Sequence, residues 1–158
     1  MPNRKKKSRI IDGGVRRMQS EIIVEIKDEA FSLDELMSEL RNDDIGAVVI
    51  FLGVVRKDDG VVRMEIEAYD EIALAELEQI CREAIERFSV SKIRIVHRKG
   101  RLSAGDNIVA VIAAAKHRRN AFRACEFLID ELKRRAPIWK KEILESGEGR
   151  WVLPESES

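Results

Sequence analysis

The sequence predicts an α+β fold with a largely antiparallel sheet. Its hydrophobic periodicity switches in the order β-α-β-β-α-β-β-α, followed by a short segment. The strands come in adjacent pairs instead of single βαβ steps, which disfavours a doubly wound parallel sheet. Hydrophobic residues make up 44% of the 158 but aromatic residues only 5%, so the core must be aliphatic. Charged residues reach 37%, well above the roughly 25% typical of soluble chains, and must be mostly solvated surface.

The elements follow in order. Residues 1–17 hold seven Lys and Arg against one acid, Asp12, and with Gly13-Gly14 read as a flexible basic tail. A single domain is expected over 18–153, with an acidic tail over 154–158. Ile22, Val24 and Ile26 alternate with Ile23, Glu25 and Lys27, the pattern of a half-buried strand. Ser32 with Glu35 forms a capping-box pattern ahead of Leu33, Leu36, Met37 and Leu40, so a short helix is expected over about 33–41. Ile45 to Val55 is β-branched and apolar and reads as a central strand buried on both faces. Lys57-Asp58-Asp59-Gly60 supplies turn chemistry, and alternating Val62, Met64, Ile66 and Ala68 should close a hairpin with the preceding run.

Asp70 is the expected N-cap of a helix over 70–88, whose Leu74, Leu77, Cys81, Ala84, Ile85 and Phe88 follow 3-4 spacing. Lys92 to Arg98 and Asn107 to Ala114 read as a second hairpin around a loop with Gly100, Gly105 and Asp106. A last helix is expected from about Arg118 to Arg135, burying Phe122, Cys125, Ile129 and Leu132. Pro137 must end or kink it, because the residue before a proline is pushed out of helical geometry.

Composition excludes several classes. Twenty-nine cationic residues balance 29 acidic ones, so no global field marks a nucleic-acid or polybasic membrane binder. No stretch approaches the ~20 apolar residues of a membrane span, and the basic start lacks an apolar h-region, so a cytoplasmic protein is expected. Cys81 and Cys125 fall on apolar helix faces as buried reduced thiols, and with only two histidines no zinc spacing arises. Neither a metal nor a cofactor is expected. The phosphate-loop, dinucleotide, zincin and nucleophile-elbow motifs are missing.

What remains is a set of cations at element ends: Arg56 after the 45–55 strand, His117-Arg118 opening the last long helix, Lys133 closing it, and Lys140-Lys141 beyond Pro137. Each alone reads as a solvated surface residue, and Lys133 as a partner of the helix dipole. Together, strand ends and a helix N-terminus are where a phosphate or carboxylate binds. If Pro137 starts a new helical turn, Lys133 and Lys140 project ~20° apart, and paired lysines favour a nucleophile or general base.

Several separated strings carry a resemblance. Gly46-Ala-Val-Val-Ile-Phe-Leu-Gly-Val-Val-Arg56, Val96-His-Arg-Lys-Gly100 with Leu102 and Gly105-Asp106, His117-Arg118 with Ala121-Phe122, and Leu132-Lys-Arg-Arg-Ala-Pro-Ile-Trp-Lys-Lys-Glu142 with Arg150-Trp151 resemble the molybdopterin synthase catalytic (large, MoaE) subunit over about residues 20–152. The resemblance implies an α/β-hammerhead-like fold with an added antiparallel β subdomain. It implies a sulfurtransferase of molybdenum-cofactor biosynthesis that converts cyclic pyranopterin monophosphate to molybdopterin. The sulfur would come from a small ubiquitin-like carrier subunit with a C-terminal Gly-Gly thiocarboxylate. A homodimer binding one carrier per protomer, a heterotetramer, is implied as well.

Carried over by motif, Arg56, His117 and Arg118 line an anion pocket, Lys133 is the leading catalytic lysine, and Lys140 is the second. Lys141 and Glu142 complete the substrate contacts, beside Val54 and Val55. Val54 stands where many relatives carry a basic residue, so its role is backbone at most. Ala68-Tyr-Asp-Glu-Ile-Ala73 lacks the His-Tyr-Pro-Gly pattern of some bacterial relatives. The competing class is a non-catalytic α+β RNA- or anion-binding module, for which one tyrosine and two tryptophans provide little base stacking.

Overall fold

The computed structural model describes residues 6–12, 20–40, 42–58 and 60–153. Its elements are β1 (Lys6–Asp12), β2 (Ser20–Lys27), α1 (Leu33–Ser38), β3 (Ala47–Val54), β4 (Val61–Ala68) and α2 (Asp70–Phe88). There follow β5 (Lys92–Arg98), β6 (Gly100–Leu102), β7 (Asn107–Ala115), α3 (Arg118–Arg135), β8 (Ile138–Leu144) and β9 (Gly149–Trp151). They form a five-stranded sheet, β1-β2-β5-β7-β3, and a four-stranded sheet, β6-β4-β8-β9. Among the described residues all pairings are antiparallel except β2 with β5. The expected α+β class with a second antiparallel subdomain is what the chain forms.

Helices α2 and α3 pack on one face of the large sheet over an aliphatic core that includes Leu77, Ile80, Ala84, Ile93, Ile95, Val111, Ala113, Leu128 and Leu132. Short α1 covers the other face, with Leu36 and Leu40 on Val96, Ala110 and Ile112. Small residues make the close approach of α3 possible: β7 turns fully buried Ala113 and Ala115 to the face that carries Ala121 and Ala124 of α3. Strand β2 is therefore covered on both sides, not half-buried as its alternation suggested. Its Glu25 is buried too, and is neutralised by Arg94 at 2.8 Å. Among the described residues no helix is long and apolar enough to cross a membrane.

Helices α2 and α3 match their sequence periods, and Ser32 caps α1 by accepting from the Glu35 N–H at 3.5 Å, although α1 ends at Ser38. Other expectations are corrected. Residue 69, not Asp70, is the N-cap of α2; Asp70 is its first helical residue and pairs with Lys99 at 2.7 Å. Phe122 is 62% exposed, because the buried stripe of α3 runs through Ala121, Ala124, Cys125, Leu128, Ile129 and Leu132, and Phe122 lies 100° off Ala121. The presumed central strand β3 is an edge strand, partly exposed along its length.

Nor does β3 form a hairpin with β4. It pairs with β7 from Ala47↔Ala115 to Val54↔Asn107, with a register shift at Gly53/Val54, and the chain then leaves for the other sheet. The loop between β5 and β7 contains β6, which also joins that sheet. After Pro137 the chain is not helical. Ala136 is extended (φ −72°, ψ 131°), as a residue before proline should be, and β8 and β9 form a hairpin on β4. Lys6–Asp12, inside the stretch expected as a tail, pair with β2. The rest of that stretch and the acidic 154–158 lie outside the described residues.

Candidate active site

The path of α3 decides which candidate residues meet. Only Lys116 and His117 separate β7 from α3, so the helix turns back over the strand that feeds it. The Cys125 thiol donates to the Val111 carbonyl at 3.5 Å, placing the middle of the helix over the middle of the strand. From Cys125 to Lys133 is eight residues, about 12 Å at 1.5 Å per residue. From Val111 back to Asn107 is four residues, about 14 Å at 3.4 Å per residue. Lys133 thus returns to the level of Asn107, which pairs with Val54 at the end of β3.

Arg56 follows at that same end. Its backbone approach is fixed by two bonds: the Val55 N–H donates to the Asp106 carbonyl at 2.9 Å, and the Gly105 N–H donates to the Val55 carbonyl at 2.8 Å. Gly105 has φ +91°, a region where a side chain would be strained. The Asp106 carboxylate holds the turn by accepting from the Ser103 N–H at 2.8 Å. Val55 is buried, whereas Val54 and Arg56 are exposed, and the Arg56 guanidinium reaches Asp58 at 3.0 Å.

His117 and Arg118 lie elsewhere. His117 is the N-cap of α3 and Arg118 its first residue, both exposed, with no side-chain cap bond to occupy the free helix N–H groups. They sit beyond Ala115, at the opposite end of β7 from Asn107. Eight residue steps, from Asn107 to Ala115, separate the two ends, about 27 Å. One chain therefore does not bring Arg56 together with His117 and Arg118. Beside the second end is a hollow of about 260 Å³ lined by Asp43, Asp44, Ile45, Gly46 and Lys116.

The remaining candidates are on β8, a strand and not a continuation of the helix, so the 20° relation of Lys133 to Lys140 is replaced. Lys140 lies opposite Ile66, Lys141 opposite Glu65 and Glu142 opposite Met64 on β4. Directly opposed residues share a sheet face, so Lys140 and Glu142 project with buried Ile66, and Lys141 projects to the other side. Lys140 and Glu142 are half-buried. Glu142 is held by an ion pair with Arg150 of β9.

His97, which the motif reading did not single out, is buried near this set. Its Nδ1 lies 2.7 Å from the Arg98 carbonyl, which requires the proton on that nitrogen. Burial chiefly, with the positive charge of Lys140 in addition, pushes its pKa down to about 4. The ring is neutral and buried, close enough to Lys140 to feel its charge. A lone histidine in an apolar strand gives no sequence signal of such a place. At the end of α3, Arg135 reaches Glu76 at 2.7 Å, Glu83 at 2.6 Å and Glu131 at 3.2 Å, clamping the turn that carries Lys133 to α2.

Both cysteines are buried, with thiol pKa values raised mainly by burial, Cys125 to about 11. They are not nucleophiles. Among the described residues, no group of three or more His, Cys, Asp and Glu is placed to hold a metal ion. The candidate side chains that the chain does place, Arg56, His117, Arg118, Lys133, Lys140 and Lys141, are cations and amines suited to anion binding, electrostatic stabilisation and proton transfer.

Comparison with known proteins bears on this arrangement. A family model described as MoaE protein matches residues 26–135. A molybdopterin synthase catalytic subunit from Pyrococcus abyssi is 41% identical over 133 residues, covering 82% of this chain and 90% of the relative. The crystal structure of molybdopterin synthase from Staphylococcus aureus superposes with a TM-score of 0.77 at 37% identity, covering 81% of this chain and 95% of that one. The complex of subunits 1 and 2 of the molybdopterin-converting factor from Helicobacter pylori has the same fold, with a TM-score of 0.73 at 24% identity over 84% of this chain and 92% of that one.

Proposed function

Because this chain belongs to the MoaE family of molybdopterin synthase catalytic subunits, we propose that it transfers sulfur from a thiocarboxylated small carrier subunit to cyclic pyranopterin monophosphate, building the dithiolene of molybdopterin. The observation that carries the reading is the distribution of cations at the two ends of β3 and β7. Arg56, Lys133 and the β8 lysines belong to one end, and His117 with Arg118 to the other.

A second copy of the chain unites them. Strand β3 is one of the two edges of the large sheet, opposite β1, and its Val48, Val49, Ile50, Phe51 and Leu52 are half-buried, which leaves an apolar edge to be covered. Two such edges meeting about a two-fold axis run antiparallel. The Val54 end of each strand then lies by the Ala47 end of the other. This brings Arg56 and Lys133 of one copy towards His117 and Arg118 of the second, so that a homodimer holds two equivalent composite pockets.

In that pocket Arg56, His117 and Arg118 bind the monophosphate and the carrier's terminal acyl group, with free N–H groups of α3 aiding the anion. Lys133 supplies the amine at the reacting centre, and Lys140, with Glu142 beside it, supplies the second charge. Lys141 adds a cation on the opposite face of the small sheet, and Val54 and Val55 contribute backbone. The extended tail of a small carrier ending in Gly-Gly is narrow enough to reach such a cleft. That the Helicobacter pylori relative was solved as a complex of two subunits is in keeping with a carrier partner. Family membership favours this catalytic reading over an RNA-binding module.

The test is single-turnover product formation on mixing the protein with a thiocarboxylated carrier and cyclic pyranopterin monophosphate. Dithiolene product is expected from the wild-type chain. Its complete lack, with both substrates shown to be competent with a related synthase, overturns the reading.

A further inference from the structure

Strand β9 is only three residues long, yet two of them engage the charged residues of β8. Trp151 lies opposite Lys141, and Arg150 opposite Glu142. Gly149 and Trp151, two apart, share the sheet face onto which Lys141 projects. The Lys141 stem runs across Gly149: a β-carbon there would collide with Lys141 Cε and stand 2.9 Å from Nζ and 3.1 Å from Cδ. The ammonium comes to rest 5.4 Å from the centre of the Trp151 ring. A side chain at 149 would therefore have to push the end of the Lys141 chain off this course, while the dihedral angles of Gly149 make no demand for glycine, since its φ is not positive.

The charge so placed is not spent on a carboxylate. Glu65, directly opposite Lys141, is taken by Arg63 at 3.3 Å and Arg101 at 3.6 Å. Among the described residues no carboxylate forms an ion pair with Lys141. An ammonium has three N–H donors. A ring face that attracts the cation without accepting a conventional hydrogen bond leaves those donors for an anion. The flexible stem, ordinarily free to sample many rotamers, is confined between a backbone and an indole.

We propose that Gly149 and Trp151 are positioning residues of the synthase: they hold the Lys141 ammonium as a preformed anion-binding group, and Trp151 acts on the reaction only through Lys141. The proposal rests on the reading of Lys141 as a substrate contact. The anion is a phosphate or carboxylate-type group, which either the pterin monophosphate or the carrier's terminus can present.

Steady-state assays of the full chain, varying each substrate in turn, test it. Trp151→Leu and Gly149→Ala should each raise one KM by about two- to fivefold, the size of a cation–π contact at an exposed site, with kcat near wild type. Trp151→Phe, which keeps a ring face, should largely restore the wild-type KM. Lys141→Met should raise the same KM at least as much, and adding Trp151→Leu to it should change nothing further. A shift in the pterin KM identifies the monophosphate as the anion, and a shift in the carrier KM identifies its terminus. Wild-type KM values in both Trp151→Leu and Gly149→Ala alongside an impaired Lys141→Met overturn the positioning role, as do additive effects in the double variant. Wild-type behaviour of Lys141→Met overturns the underlying reading of that lysine and the inference with it. Circular dichroism confirms that each variant is folded.

Discussion

Arg94 on β5 and Glu25 on β2 form an ion pair at 2.8 Å in which both side chains are almost wholly removed from water. The pair sits under α1, whose C-cap residue Glu39 approaches the same guanidinium at 3.5 Å. Removing one partner strands a buried charge. Arg94→Met should therefore cost about 3–5 kcal/mol, whereas Arg94→Met with Glu25→Leu should recover most of that loss. Denaturant unfolding of the two variants measures both; equal destabilisation by the single and double changes would show that lost packing, not the orphaned carboxylate, sets the cost.

His97 makes stability depend on pH in a definite window. Its folded pKa, near 4, lies below the ordinary value of 6.5, so the unfolded chain binds the extra proton first as pH falls. Stability should be constant above about pH 7 and decline between 6.5 and 4, by on the order of 3 kcal/mol from this residue. The carboxyls of Glu83 and Glu131, held below their usual range by hydrogen bonds from Arg135 and Arg134, have their contribution in place above that range and lose it only in stronger acid. Unfolding midpoints measured from pH 4.5 to 7.5 should slope in the wild type and flatten in His97→Gln. A slope that persists in the variant assigns it to other groups.

Lys133 lies exposed on the last turn of α3, where a cation adds only ~0.3–1 kcal/mol through the helix dipole. Lys133→Ala should remove most sulfur transfer with the fold and carrier binding intact. Lys133→Arg should be nearly as inactive if the residue works as nucleophile or base, because guanidinium stays protonated. Arg56→Ala and Arg118→Ala should mainly raise the substrate concentration required. Single-turnover rates at saturating carrier separate these cases: full activity in Lys133→Arg would reduce the residue to an electrostatic clamp.

Sedimentation of the protein without carrier should give roughly twice the 18.1 kDa chain mass. Composite pockets then predict complementation. A mixed dimer of Arg56→Ala and His117→Ala chains has one pocket with both changes and one with neither. Assayed at a substrate concentration well below what either variant requires, random mixing should restore activity to about a quarter of wild type, from parents that are each poorly active under that condition. No recovery after verified subunit exchange would place both residues in the same pocket of one chain, against the 27 Å that separates them along β7.

The parts of the fold legible in the sequence were those with many turns of evidence. Helices α2 and α3 supply 19 and 18 residues of sustained periodicity, and their bounds follow. An apolar run such as Val48–Leu52 carries no such distinction: a strand covered on both faces and an edge strand awaiting a second copy select the same residues. Strands β6 and β9, three residues each, are too short to show a period, and β8 reads Lys-Lys-Glu at its centre, so neither declared a second sheet there. The site behaved likewise. The cations were visible as residue types at element ends, but that Arg56 and His117 stand at opposite ends of β7 depends on pairing between residues more than 50 apart.

Helix α3 begins beside His117 and ends beside Lys133, and the Cys125–Val111 contact pins it midway. It therefore works as a ruler, which sets a limit on how this chain can diverge. One residue added between Arg118 and Lys133 would turn everything beyond it by 100° and push it 1.5 Å along, taking Lys133 off its bearing whatever the inserted side chain. A residue added to the turn at 145–148 would change the length of a surface loop and leave the spacing of α3 untouched. Insertions in a lineage of such chains should accumulate in that turn, and α3 should keep its length even where its exposed residues drift.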